Sequence, residues 1–400
     1  MRENDSRLPL GALLALATAV FITSLTETLP AGVLPAMSAD LSVGESAMGQ
    51  SVTVYAIGTA LTAIPLSAAT VGWRRKRLLL TAMAGFALAN TVTAVSANYP
   101  LTMAARFVAG VAAGLAWALL AGYARRLAPA RLQGKAIAVV MTGIPVALSL
   151  GVPAGTFLGD ALGWRAAFAV MTALAAGLIA WIALGVPDLP GQRAGDRPRM
   201  LAALAVPGVT PVLFVTLVLV LAHTILYTYV APFLERRGME GSTDLVLLVF
   251  GAASLVSIWI VGAHIDRRPR VLLLAAVGLF GAAALALAGA VGGPPLVYAA
   301  VTVWGLGWGG APTLLQTAAA EAGGEAADAA QAMLVTLWNA AMAGGGIAGG
   351  VLLDGLGPAS LPRSVLLLLI PVLAVVVAAR THGFPARRAA PIPTPDRTAR

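Results

Sequence analysis

Long apolar runs separated by short polar stretches dominate the chain. They fall at 8–35, 47–70, 78–97, 101–124, 136–159 and 166–186. After a stretch rich in Pro, Gly and Arg at 187–199, they resume at 209–233, 245–262, 271–291, 296–320, 329–353 and 365–379. A helix rises 1.5 Å per residue, so about 20 apolar residues cross a bilayer. The runs are too long for barrel strands and none alternates with period two, so the pattern predicts helices. Twelve spans make this an all-α membrane protein. The first run is longer than a signal-peptide core and eleven more follow, so it reads as a retained span. Beyond Arg380, Pro385, Pro391, Pro393 and Pro395 stand among charges, a composition that predicts disorder.

The pattern also repeats. Gly151, Gly155, Gly159, Asp160 and Gly163 return 194 positions later as Gly345, Gly349, Leu353, Asp354 and Gly357. Val71-Gly72 and the basic run before Leu78 return as Val261-Gly262 and the basic run before Val271. The expected organisation is a six-helix half at 1–186, a linker at 187–206, a second six-helix half at 207–380 and a tail at 381–400. Parallel repeats of this kind pack about an axis along the membrane normal, with the substrate site between them.

Composition agrees with a lipid environment. Hydrophobic residues are 59% and charged ones 11%, with a mean hydropathy of +0.87. Soluble domains carry about 25% charged residues. The absence of cysteine excludes disulfides, thiol catalysis and Cys-ligated metals. The three histidines, His223, His264 and His382, are far apart in sequence, so no metal site and no cofactor are expected. The net charge of +9 reflects topology and not nucleic-acid binding. With the N-terminus inside, 21 of the 26 Lys and Arg fall in inner segments. Only Arg165, Arg236, Arg237 and Arg363 fall in outer loops, and Arg106 lies within a span. This places both termini in the cytoplasm.

Few residues inside the spans carry chemistry. Glu27 lies in the first span just before Pro30, where a carboxylate must be protonated, paired or facing a water-filled cavity. The alternative is a helix-end residue reaching interfacial water. Arg106 lies at matching depth in the fourth span, and a pair with Glu27 would offset both desolvation costs. It reads either as a coupling switch or as a static structural pair. Gly151, Pro153, Gly155 and Gly159 combine small faces with a helix breaker, as expected of a seat for the interface between halves. Tyr55, Trp117, His223, Tyr227, Trp304, Trp308, Gln316 and Asn339 are candidates for lining an amphipathic cavity. Each reads equally as packing between helices. No Walker motif is present, and the Gly305-Leu-Gly307 run sits inside an apolar helix.

These motifs resemble the major facilitator superfamily over residues 8 to 380, and more closely its twelve-helix drug and sugar efflux group. That group includes arabinose-type and chloramphenicol efflux permeases. Thr26-Glu27-Thr-Leu-Pro30-Ala-Gly32-Val-Leu-Pro35 with Asp40-Leu41 resembles the group's first-helix signature. Arg106 with Gly110 and Gly114 resembles the fourth-helix basic motif linked to proton coupling. Gly151-Val-Pro153-Ala-Gly155 through Gly163-Trp164-Arg165 resembles the antiporter motif, with Val152 separating its Gly and Pro. Trp304-Gly305, Pro312-Thr-Leu-Leu-Gln316 and Asn339 resemble the group's tenth and eleventh helices. Gly262, Asp266 and Arg267 fit the loop motif of the second half. The first-half loop, Gly72-Trp-Arg-Arg-Lys-Arg77, lacks the Asp that this motif carries.

The resemblance implies two pseudo-symmetric six-helix halves and proton-coupled efflux of a small amphipathic or neutral solute, a drug, sugar or nucleoside, by alternating access. Glu27 and Arg106 would couple protons. The expected partners are solute, protons and lipid, and the expected unit is a monomer in the cell membrane. A symporter or facilitator importing a nutrient is the alternative. A membrane-embedded enzyme or receptor is a further class, but no nucleophile–base or metal constellation supports it. Reporter fusions at Arg199 and in the tail should both report the cytoplasm, and an external signal at either overturns this topology.

Overall fold

The computed structural model describes residues 8–70, 72–129, 132–191, 204–265, 267–289 and 293–385. Among the described residues, twelve helical rods run back and forth. In the first half they are α1 (Leu10–Gly32), α2 (Glu45–Ala69), α3 (Arg75–Val95), α4 (Tyr99–Leu127), α5 (Lys135–Leu162) and α6 (Trp164–Gly185). In the second they are α7 (Val209–Thr228), α8 (Thr243–His264), α9 (Pro269–Gly289), α10 (Gly293–Trp308, resumed as Ala311–Gly323), α11 (Ala327–Leu356) and α12 (Ser360–Ala378). Among the described residues, ten of these helices are by themselves long and apolar enough to cross a membrane. The other two rods are α2, which carries Pro65, and α10, which breaks at Gly309-Gly310. The break has a cause: a Cβ on Gly309 would lie 2.3 Å from Ser254 O of α8, and Pro312 follows in the first turn of the resumed helix. One end of the bundle gathers Asp40, Gly163 and Gly357. The other gathers Arg74, Asp188 and His264.

Between helices in lipid there is no water to expel, so close packing and backbone contact hold them together. A Cβ on Gly110 of α4 would lie 2.1 Å from Tyr55 O of α2, and Thr59 Oγ1 donates to Gly110 O at 3.0 Å. In the second half, a Cβ on Gly305 of α10 would lie 2.5 Å from Phe250 O of α8, and Ser254 Oγ donates to Gly305 O at 3.3 Å. Each residue of the second set stands 195 positions after its counterpart, so one contact is built twice. The other glycine faces repeat likewise. Gly151 and Gly155 of α5 pack on Leu25 and Leu29 of α1, and Gly345 and Gly349 of α11 pack on Leu221 and Ile225 of α7. Both α5 and α11 end on a left-handed glycine, Gly163 at φ +89° and Gly357 at φ +76°.

The open faces of the α5 glycines turn to their own half, Gly151 and Gly155 to Phe21 and Leu29 of α1 and Gly159 to Val33 just after it, while the same helix also packs on α8 of the other half. Pro153 has no N–H to offer the preceding turn, and α5 widens into a π turn at Ala147–Gly151 just before it. From this turn Ser149 Oγ donates to Gly251 O of α8 at 3.0 Å, which does join the halves.

The larger joint between halves is α2 against α11 and the end of α7. The ring of Tyr229 lies between glycines: a Cβ on Gly49 would stand 2.3 Å from it, and one on Gly349 2.6 Å. Tyr229 Oη donates to Gly346 O at 2.8 Å, Gln50 Nε2 donates to the same carbonyl at 3.2 Å, and Thr53 Oγ1 donates to Ala343 O at 3.3 Å. Among the described residues, the hydrogen bonds joining the halves lie between the Asp40 end and mid-depth. At that end Asp40 pairs with Arg165 and accepts from Trp164 Nε1 at 3.0 Å, so the first-helix and antiporter motifs clasp each other.

At the opposite end a carboxylate from elsewhere stands in for the Asp missing from the first-half loop. Asp188, just after α6, pairs with Arg74 and accepts from Lys76 N at 3.4 Å, while Arg75 N donates to Leu189 O at 2.9 Å. Gly191 lies so close that a Cβ there would meet Gly72 O at 2.2 Å. The start of the expected linker is thus strapped to the first half, and 192–203 lie outside the described residues. Of the second loop motif, Asp266 lies outside the described residues, and Gly262 and Arg267 are exposed. The expected disordered tail is ordered at its start: Phe384 is buried, and Arg270 donates to Phe384 O at 3.3 Å and Val377 O at 2.9 Å. Residues 386–400 lie outside the described residues.

Two expected outcomes follow from this packing. A Cβ on Gly143 would meet Ala17 O at 2.3 Å and Phe21 N at 2.7 Å, both backbone, whereas Gly177 has nothing within 4 Å. Gly143→Ala should therefore lower stability by about 1–3 kcal/mol, and Gly177→Ala should raise it by up to about 1 kcal/mol. Thermal unfolding of the purified protein checks both signs. A Cβ on Gly350 would lie 2.6 Å from Ser46 Oγ, and the chain has no cysteine of its own. Ser46→Cys with Gly350→Cys should crosslink on oxidation, halt the carrier and release it on reduction. Uninterrupted turnover in the fully crosslinked protein contradicts a joint that must open.

Candidate functional site

Two clusters of polar and aromatic side chains stand out, one in each half. The first begins with Pro30, whose missing N–H leaves the carbonyl four residues earlier, Thr26 O, without its helical partner. Arg106 of α4, 1% exposed, takes that partner's place: its Nη1 donates to Thr26 O at 2.7 Å. Its Nε reaches Ser51 O of α2 at 3.4 Å and its Nη2 reaches Glu27 O at 3.5 Å. The guanidinium also lies 4.9 Å from the centre of the Tyr55 ring. Tyr55 Oη donates to Thr23 O at 3.1 Å, and Asn90 Nδ2 of α3 donates to Thr26 Oγ1 at 3.2 Å. One knot thereby joins α1, α2, α3 and α4.

The expected pairing of Glu27 with Arg106 takes a different form. Arg106 holds backbone carbonyls, including that of Glu27, and among the described residues the ion pairs seen at Arg74–Asp188 and Arg165–Asp40 do not include this pair. The Glu27 side chain is half-buried and lies within electrostatic reach of Arg106, Tyr55 and, across the halves, Tyr227. Carbonyl dipoles and a π face suffice to hold the cation, so the carboxylate is left without a fixed partner.

The second cluster gathers four of the sequence candidates, His223 and Tyr227 of α7 and Trp304 and Trp308 of α10. His223 stacks on Trp308 with centroids 3.6 Å apart and planes 4° apart. Tyr227 lies 5.2 Å from it and Trp304 5.4 Å. Phe250 of α8 at 5.9 Å and Phe280 of α9 at 6.4 Å complete the ring of aromatics, and Trp338 of α11 lies 5.9 Å from Trp308. His223 Nδ1 and Trp304 Nε1 are buried with no hydrogen-bond partner. A buried polar group left so costs about 1–3 kcal/mol, and such groups call for a ligand or water.

The remaining candidates are dispersed. Trp117 is half-buried against the core of the first half. Asn339 turns back on its own helix, where its Nδ2 donates to Val335 O at 2.9 Å. Gln316 is exposed, and its backbone carbonyl accepts from Gln331. Sequence reading missed Asn90, Gln50, Phe250 and Phe280. A lone amide in an apolar span is a signal that would have marked Asn90 and Gln50. The phenylalanines carry no signal beyond hydrophobicity.

Residues 16–345 match the Major Facilitator Superfamily. The chain is 31% identical over 383 residues to the transcription regulatory protein OpdE of Pseudomonas aeruginosa, covering 93% of this chain and 94% of that one. It is 30% identical over 355 residues to a chloramphenicol efflux pump of Mycobacterium tuberculosis, covering 85% of each. The crystal structure of the nucleoside transporter NupG superposes with a TM-score of 0.74 at 13% identity, over 92% of this chain and 99% of that one, which shows the shared fold. With its helical rods in two repeated halves, this chain belongs to the Major Facilitator Superfamily, as a multi-pass membrane transporter and not an enzyme.

Proposed function

We propose that this transporter exports a small amphipathic or neutral solute across the cell membrane in exchange for protons, as a monomer with both termini in the cytoplasm. The observation that carries the reading is Glu27. It is a half-buried carboxylate within electrostatic reach of Tyr227 in the other half, and the adjacent cation is already satisfied by Thr26 O. A carboxylate held in a fixed ion pair resists protonation, whereas one without a fixed partner in a poorly solvated site takes up a proton readily. Export is supported by the efflux pumps among the relatives.

The cycle follows from the joints. With both termini inside, the Asp40 end is external, and the Tyr229–Gly346 and Gln50–Gly346 bonds close it. Solute enters from the cytoplasm, the halves rock, and the Glu27 side chain meets external protons. Taking up a proton removes its charge and favours the return that presents the empty site inward again.

In proteoliposomes with an imposed pH gradient, Glu27→Gln should lose gradient-driven flux while keeping solute binding, because Gln retains the shape and cannot titrate. Solute affinity should vary with pH in the parent and not in the variant. Arg106→Ala should impair folding as well, since it strands Thr26 O at about 1–3 kcal/mol. Gradient-driven flux that survives Glu27→Gln unchanged overturns the assignment of the coupling site.

A further inference from the structure

We infer that the aromatic cluster of the second half is the recognition site for a flat, uncharged aromatic or heteroaromatic ring that carries a hydrogen-bond acceptor, so that the transported solute is ring-bearing and not a simple sugar. The inference rests on the export reading above and narrows its substrate class.

Position is the first argument. The contacts of the glycine faces align Leu25 with Leu221 and Leu29 with Ile225, so His223 stands where Glu27 stands in the first half. Tyr227 lies within electrostatic reach of Glu27. The cluster therefore faces the same central space from the opposite wall. Phe250, Phe280 and Trp304 are 1% exposed, and Trp308, Tyr227 and His223 are buried only slightly less completely.

Chemistry is the second. Six rings surround or include His223, and His223, Trp308 and Phe250 lie within 26° of parallel about the imidazole plane. Such walls favour a planar partner through stacking. Among the described residues, five buried side-chain polar atoms have no partner, and two of them, His223 Nδ1 and Trp304 Nε1, belong to neighbouring rings of this cluster. Buried polar handles of aromatic rings elsewhere are satisfied, as Tyr55 is by Thr23 O and Tyr229 by Gly346 O. An indole N–H only donates, while a neutral imidazole nitrogen takes either role. The missing partner must therefore present an acceptor, such as a carbonyl, a nitro oxygen or a ring nitrogen.

The same facts exclude rival occupants. Aromatic cages hold quaternary ammonium ions, but such an ion has no acceptor for Trp304 Nε1. A simple sugar needs a partner for each buried hydroxyl, and these walls are almost entirely carbon.

Binding to the purified full-length protein, read by quenching of tryptophan fluorescence and by calorimetry, tests this without any proton gradient. The probes are chloramphenicol, adenosine, ribose, arabinose and tetraethylammonium. Adenosine and ribose differ by the ring alone. Chloramphenicol or adenosine should bind, while ribose, arabinose and tetraethylammonium should not. Trp308→Leu should weaken the ring-bearing probe roughly tenfold or more, the usual scale of a lost stacking partner, and Trp308→Phe should restore most of it. His223→Leu should weaken it, and His223→Gln less so. Gel filtration and thermal unfolding confirm that each variant is folded. If neither ring-bearing probe binds, if a bare sugar or tetraethylammonium binds as well, or if folded Trp308→Leu binds unchanged, the inference is overturned. A protein that binds the rings but shows no gradient-driven flux loses the export reading alone. One that exports arabinose on a proton gradient and ignores the rings loses this inference alone.

Discussion

The bond from Arg106 to Thr26 O is the contact on which the functional half depends. Pro30 removes a donor from the last turn of α1, and in a membrane no water is at hand to replace it. Arg106 supplies the replacement from α4, at 2.7 Å. The same guanidinium is costly to bury, and the orphaned carbonyl, two weaker carbonyl contacts and the Tyr55 face offset that cost. Each defect thus stabilises the other. Because the cation is held by neutral groups, the carboxylate of Glu27, one residue along, is left outside the hydrogen bonds of this knot.

The two halves share a frame and differ in what they fill it with. Tyr55, Thr59 and Gly110 of the first half map onto Phe250, Ser254 and Gly305 of the second, with the same backbone approach and the same hydroxyl-to-carbonyl bond. Where the first half carries Arg106, the second carries Val301 by the same offset of 195. Where the first has Glu27, the second has His223. The titratable carboxylate of the first half thus has an aromatic cluster for its counterpart in the second.

Much of this was legible in the sequence, for physical reasons. Span number follows from bilayer thickness. The repeat follows from glycines that must recur wherever the same close contact is built twice. The convergence of His223, Tyr227, Trp304 and Trp308 was foreseen only as membership of one cavity, because α7 and α10 each place their aromatics four residues apart, on one face. What was not legible was partnership. Arg106 and Glu27 sit at matching depth, and depth alone suggested an ion pair. The competing acceptor, a carbonyl freed by Pro30, is a backbone group and leaves no mark of its own in the residue pattern. The α5 glycines announced a close approach without saying to what. The aspartate absent from the first-half loop is replaced by Asp188, more than a hundred residues away.

The kinds of contact also explain why the halves move as units. Within each half, glycines bring backbone against backbone, as at Gly110 on Tyr55 O and Gly305 on Phe250 O, and displacing either would drive atoms together or open a void. Between the halves one such backbone contact recurs, Gly251 of α8 against Ser149 of α5, but the larger joint is different in kind. A single ring, Tyr229, lies between Gly49 and Gly349, and the bonds that hold it run from side chains to carbonyls. Those donors can turn to water or to other acceptors once the joint parts, whereas the backbone contacts within a half have no substitute. The larger joint between the halves is thus held by bonds that water can replace, which the backbone packing within each half is not.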